Sequence, residues 1–259
     1  MTSLFFALAA LGYWISAIGF QYNLFHRKRR DWKQWMQLLL GSHVLHTVGL
    51  VLLTLQIKHP PVTSMPEVMA VLGWVLIALY AALGQRWKIE ALGSIAAPAT
   101  AVLTTFATFT LGNVAQHTYR GAWFPLHVSS LVASYAAFCL AAFCSLLYFI
   151  QARRLKQKKL STAFLLPSLE ILDRVAFRFI LVGFPLLVLG MVSGTQMPGW
   201  RWTWDTKETL VALTGAVYVL YLHARVVAGW QGQRINFILL VAFCCVLLSL
   251  FAPGSSHRY

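Results

Sequence analysis

The sequence predicts an all-α, polytopic membrane protein with about eight transmembrane helices. Three observations predict it. Of its 259 residues 59% are hydrophobic, and the mean hydropathy of +0.67 lies above the range of soluble domains. Uncharged stretches of about 18 or more residues recur, the length that spans ~30 Å of hydrocarbon. The basic residues collect in the short segments between these stretches. The ~10-residue alternating segments of an outer-membrane barrel are not visible.

Span 1 covers about Ser3 to Phe25. Its charges follow it rather than precede it, the wrong polarity for a cleaved signal peptide. Span 2, about Trp35 to Ile57, carries His43 and His46. A turn with Pro60, Pro61 and Pro66 leads into span 3, about Glu67 to Gly84. Span 4, about Ala91 to Leu111, is rich in Ala, Thr and Gly, as closely packed membrane helices are, and its Pro98 predicts a kink. Residues 112–126 form a loop with His117, Arg120 and Trp123 before span 5, about His127 to Gln151. The basic segment 153–159 follows, and Leu160 to Phe177 reads as a surface-lying amphipathic helix. Spans 6, 7 and 8 cover about Phe179 to Gly194, Thr209 to Val227 and Ile235 to Phe251. No internal repeat is visible, so residues 1–259 read as a single domain with an external loop at about 195–208.

With this topology, sixteen Lys and Arg fall on one side and five on the other. That is a positive-inside asymmetry. It predicts both termini and the loop between spans 6 and 7 outside. It also accounts for the net charge of +14 without a nucleic-acid partner. Cys139, Cys144, Cys244 and Cys245 lie in apolar runs without C-x-x-C or C-x-x-C-H spacing. They read as packing residues, not as a redox centre or a covalent haem site.

The most informative stretch is Pro198-Gly199-Trp200-Arg201-Trp202-Thr203-Trp204-Asp205-Thr206-Lys207-Glu208. Three of the ten tryptophans alternate here and run into a cluster of charges. Tryptophans at a membrane edge also form ordinary aromatic belts. What singles these out is Asp205, Lys207 and Glu208 beside them, together with histidines on the same side. Such a surface suits a flat, apolar, partly charged ligand, and haem fits that description. His127 and His257 fall on the outer side, with His117 a weaker candidate there; His59, also outer, and His26 read as surface residues. Two neutral imidazoles against an apolar wall suit haem iron. His43, His46 and His223 lie inside spans, where ionisable groups face a cavity or a neighbouring helix. At 1.5 Å per residue, His223 and His43 lie roughly 21 Å below the outer ends of their spans, and His46 about 16 Å.

The stretch Gly-Trp-Arg-Trp-Thr-Trp-Asp-Thr-Lys-Glu-Thr resembles the tryptophan-rich WWD signature of the CcsA/ResC family of cytochrome c biogenesis proteins. The resemblance is collinear over most of the chain. Gly49-Leu50 with His59-Pro60-Pro61 and Glu67, Ala96-Ala97-Pro98-Ala99, Leu126-His127-Val128-Ser129, Ser134-Tyr135-Ala136-Ala137, Tyr221-Leu222-His223-Ala224-Arg225 and the tail Pro253 to Tyr259 are each similar to a family motif. The signature is altered at Pro198, Arg201 and Thr206, and Arg201 suits a haem propionate.

The resemblance implies a haem transport and presentation subunit of a system II-type cytochrome c synthase in the bacterial cytoplasmic membrane. It would work with a CcsB/ResB-type membrane subunit and present haem outside for thioether attachment to the C-x-x-C-H motif of apocytochrome c. The haem would be b-type, bound non-covalently and in transit. His127 and His257 would be axial ligands of the external haem, contacted by Trp200, Trp202, Trp204 and Asp205. His223 would ligate haem within the membrane, its second ligand coming from the partner subunit. His43 and His46 are not part of the family pattern and open the alternative that this chain completes an internal site alone. No separate acid–base pair is visible, so the chain reads as a haem-handling subunit and not an independent enzyme. The alternative is a HemX-like membrane protein that regulates haem biosynthesis.

Overall fold

A computed structural model of the chain describes residues 2–26, 32–84, 90–111, 123–158, 166–197 and 201–252. Its order is α1 (Thr2–His26), α2 (Trp32–Ile57), α3 (Met65–Leu79), α4 (Gly93–Thr110), α5 (Trp123–Lys156), α6 (Leu169–Thr195), α7 (Thr206–Val226) and α8 (Gln233–Phe251). A π turn, Tyr80–Gly84, extends α3, and a 3₁₀ turn, Glu90–Leu92, precedes α4. Helices α1 to α4 form one compact unit and α5 to α8 another.

Among the described residues, seven helices are long and apolar enough to cross a membrane; α4 is not among them. The reason lies in what α4 packs against. Its buried positions are Gly93, Ser94, Ala96, Ala97, Thr100, Ala101, Thr104 and Ala107. Small residues lower its hydropathy, but they let α1 and α3 approach closely. Gln21 Nε2 and Trp14 Nε1 of α1 donate to Ser94 O and Thr105 Oγ1 at 2.9 and 3.1 Å. The helix runs through Pro98, as α6 runs through Pro185.

In the first unit, α1 buries Phe6, Tyr13 and Phe20, seven residues apart, with Ala9, Ala10 and Ala17 between them. This is one helical stripe. Leu4, Leu8, Leu11, Ile15 and Ile18 stay exposed, as a lipid-facing surface requires. Gly12 allows α2 to come close, because a Cβ there would collide with Ser42.

The entry to α3 is a compact turn. Lys58 sits at φ 61°, and Glu67 Oε2 accepts from Thr63 N (2.8 Å) and Thr63 Oγ1 (2.9 Å). Pro66 stands in the first turn of the helix, where its missing N–H costs nothing.

In the second unit, α5 and α6 pack along much of their length. Helix α5 is longer at both ends than the expected span, which places His127 inside the helix, one turn from its start. The amphipathic helix expected over Leu160 to Phe177 is not a separate element. Residues 159–165 lie outside the described residues; Ser168 caps α6, and the helix is continuous from Leu169 to Thr195. The charges that look amphipathic belong to its first turns. Glu170 pairs with Arg174 on the surface, while Asp173 turns inward.

There Asp173 Oδ2 meets Arg225 at 2.6 Å, and Asp173 Oδ1 accepts from Asn236 Nδ2 at 2.7 Å. Ser145 Oγ donates to Asn236 Oδ1 at 2.7 Å, and Arg225 also donates to Trp230 O at 3.1 Å. A buried ion pair is tolerable only when its remaining hydrogen-bonding groups are satisfied. This network joins α5, α6, α7 and α8 at one end of the unit. All four cysteines lie in helices as free thiols, Cys144 buried and Cys244 exposed.

Candidate functional site

The tryptophan-rich stretch folds as the cap of α7. Asp205 has extended backbone and is the N-cap; its Oδ1 accepts from Glu208 N at 2.8 Å. Glu208, third in the helix, reaches back. Its Oε2 accepts from Thr203 N (2.7 Å), Thr203 Oγ1 (3.1 Å) and Trp204 N (2.9 Å). Asp205 plays the N-cap role of a capping box, while Glu208 reaches past the N-cap to the two residues before it. The Asp205 bond satisfies one orphan donor of the helix start, and the buried Glu208 carboxylate is held on the N–H groups of the two residues before the cap. Thr209 Oγ1 adds a bond to Trp204 O at 3.2 Å.

The box forces Trp204 to φ 56°, a left-handed conformation that side chains rarely adopt. The result is a large ring presented to the surroundings. Trp204 is 71% exposed, while Trp202 is half-buried, and their rings meet edge to face at 5.3 Å. Arg201 is exposed.

His127 stands close by, on α5. Its Nδ1 lies 2.7 Å from Gly190 O of α6. A carbonyl only accepts, so Nδ1 carries the proton and the Nε2 lone pair is the basic one. That is the tautomer a metal ligand needs, oriented by the kind of partner that ligating histidines use. The same carbonyl also accepts from Ser193 Oγ at 3.0 Å. Gly194 makes room for the ring, because a Cβ there would stand 2.8 Å from Nδ1.

A cavity of about 60 Å³ opens beside the imidazole. Leu131 of α5, Met191 of α6 and Met197 just beyond it form apolar walls. Trp202, Lys207 and Glu208 close it from the α7 side. A space of that size holds a few waters, counted at ~10–15 Å³ each. A porphyrin is several times larger, so the cavity takes at most one edge or substituent of it. The donor set does suit haem: a basic imidazole nitrogen, thioether and aliphatic walls and an exposed indole.

The other expected site residues divide. Trp200, His257 and the weaker candidate His117 lie outside the described residues. His223 is exposed on α7, roughly 24 Å along the helix from Lys207, so it belongs to a different level from His127. His43 and His46 share one partner in the first unit. Tyr13 OH lies 3.4 Å from His43 Nδ1 and 3.3 Å from His46 Nδ1. His43 stacks on Trp74 at 5.2 Å, and His46 is fully buried, with no hydrogen bond at Nε2. Among the described residues, no group of three or more His, Cys, Asp or Glu converges as a metal site.

Sequence reasoning missed the supports of this site. Glu208 was visible as the fourth residue of an Asp-x-x-Glu capping pattern. Gly190 and Gly194 were visible as a small-x-x-x-small pair, the spacing that brings membrane helices together. The roles of Met191, Met197 and Tyr13 have no comparable signal in spacing.

Comparison with known proteins bears on most of the chain. The model of the family described as cytochrome C assembly protein matches residues 62–257. The chain is 31% identical over 219 residues to the cytochrome c biogenesis protein CcsA of Chlamydomonas reinhardtii, covering 78% of this chain and 61% of that one. It is 28% identical to CcsA of Mesostigma viride, covering 86% of this chain and 87% of that one. It is 29% identical to CcsA of Synechococcus sp. (strain CC9902), covering 86% and 85%.

Proposed function

The chain belongs to the cytochrome C assembly protein family, a multi-pass membrane protein of cytochrome c biogenesis, and on that premise we propose that it holds haem at the outer membrane face for transfer to apocytochrome c. The observation that carries this reading is the Nδ1 bond from His127 to Gly190 O, beside an apolar cavity closed by Trp202. It leaves the imidazole basic at Nε2, where iron coordinates.

In this reading His127 supplies one axial ligand and His257 the other, and the haem is b-type and non-covalent. Trp200, Trp202 and Trp204 cover the porphyrin, with Arg201 and Asp205 at its edge. The cap of Asp205 and Glu208 holds the Trp204 backbone, with the Trp202 ring packed against that of Trp204, and much of the rate advantage of such an assembly is positional. Each cysteine thiol of the apocytochrome adds across a haem vinyl group, forming one C–S and one C–H bond with no leaving group. His223, with His43 or His46 or a histidine of a CcsB-type partner, marks the haem's earlier passage through the membrane. The positive-inside asymmetry supports an outward site in the bacterial cytoplasmic membrane. The relatives are biogenesis proteins, which favours this role over a HemX-like regulatory one.

The test is a visible spectrum of the detergent-purified protein, reduced and oxidised, alone and co-expressed with a CcsB-type subunit. Sharp α and β bands on reduction are expected, and His127→Ala removes the signal of the external haem. Unchanged haem content in that variant would overturn the assignment.

A further inference from the structure

We infer that Lys207 is the group that orients the haem at this site, its ammonium binding a propionate carboxylate; the inference rests on the haem-holding reading above. Lys207 lines the same cavity as His127 and Trp202. It is half-buried, yet it forms no ion pair and no hydrogen bond with any described residue. A lysine drawn into the cavity without an ion pair or hydrogen bond of its own is placed for an anion that arrives later.

Its position on α7 strengthens the point. Lys207 is the second residue of the helix, at the positive end of the dipole, where a cation is disfavoured. So it is not there to stabilise the helix. The two acids nearby are already engaged. Asp205 Oδ1 accepts from Glu208 N, and Glu208 Oε2 accepts from Thr203 and Trp204. Asp205 is near enough to act on the Lys207 charge, but its carboxylate is committed to the cap and the two form no ion pair.

Haem carries both carboxylates on one edge. With iron on His127 and the macrocycle against the tryptophans, one fixed cation decides which way that edge turns. The vinyl edge lies opposite, so anchoring the propionates also presents the vinyl groups. Lys207 is thus a positioning residue. Arg201 is the residue the sequence suggested for a propionate, but it is exposed and not part of the cavity lining.

The experiment compares binding of haem and of haem dimethyl ester, whose carboxylates are blocked, to the purified protein. Binding is followed by the Soret band and by tryptophan quenching. The wild type is expected to prefer the free acid by about tenfold, the worth of one charge-assisted hydrogen bond. Lys207→Met loses that preference while its affinity for the ester is unchanged, and Lys207→Arg retains it. Equal binding of acid and ester by the wild type overturns the inference without reliance on any variant. Equal weakening of both ligands in Lys207→Met also overturns it, as does loss of the preference in Arg201→Gln alone. A wild type that binds neither ligand, alone or with its CcsB-type partner, removes the haem reading and this inference with it.

Discussion

His127 in the second unit and the His43–Tyr13–His46 cluster in the first both use Nδ1 to hold an imidazole in place, and they reach different ends. His127 faces a carbonyl, which can only accept. Its tautomer is therefore fixed, and its basic nitrogen is Nε2. His43 and His46 face one hydroxyl, which donates one proton and accepts others. Two histidines on a single hydroxyl can exchange roles, so neither Nε2 is assigned as donor or acceptor. The difference shows how a backbone carbonyl turns a helix-borne histidine into a defined ligand, while a side-chain hydroxyl holds two histidines without deciding between them.

The strongest way to break the contrast is to disturb the His127 ring without removing it. Gly194→Ala places a Cβ 2.8 Å from Nδ1, so the ring must turn away from Gly190 O. Haem affinity is expected to fall by about tenfold or more, the worth of one misdirected ligand bond, with helical content retained by circular dichroism. Unchanged affinity would show that the carbonyl does not set the ligand.

A smaller effect separates cap from contact. Asp205→Ala removes the N-cap of α7 and is expected to cost about 0.5–2 kcal/mol in thermal or denaturant unfolding. Asp205→Asn keeps the cap and the stability. If Asp205→Asn nevertheless loses haem, the carboxylate charge has a second use; if it keeps haem, its role is the cap alone.

The mildest change belongs to the first unit. Tyr13→Phe removes the shared hydroxyl and leaves two imidazoles short of a bond, a loss of about 0.5–1.5 kcal/mol. The spectrum of the external haem should not move. A shift there would mean that the two histidine environments are coupled.

Much of the fold was legible because a membrane imposes it. Hydrocarbon forces every backbone group into a helix, so apolar length alone locates the spans. Helix α4 was expected over about Ala91 to Leu111 and is found at Gly93–Thr110, although its small residues, which serve neighbouring helices, lower its hydropathy. The stretch from Leu160 to Phe177 shows the limit. Asp173 reads as a surface charge until Arg225 and Asn236, far away in sequence, are brought to it.

The same division runs through the candidate site. His127, the alternating tryptophans and Asp205 announce themselves by residue type, charge and spacing, and the family resemblance follows from their order. That Glu208 is a capping residue was also within reach, since Asp-x-x-Glu is a local pattern. What only the tertiary structure decided is which nitrogen of His127 is basic, and that Lys207, not Arg201, lines the cavity beside it. Local patterns are written in neighbouring residues. A tautomer and a place in a cavity wall depend on what another helix brings close, and no single stretch of chain carries that information.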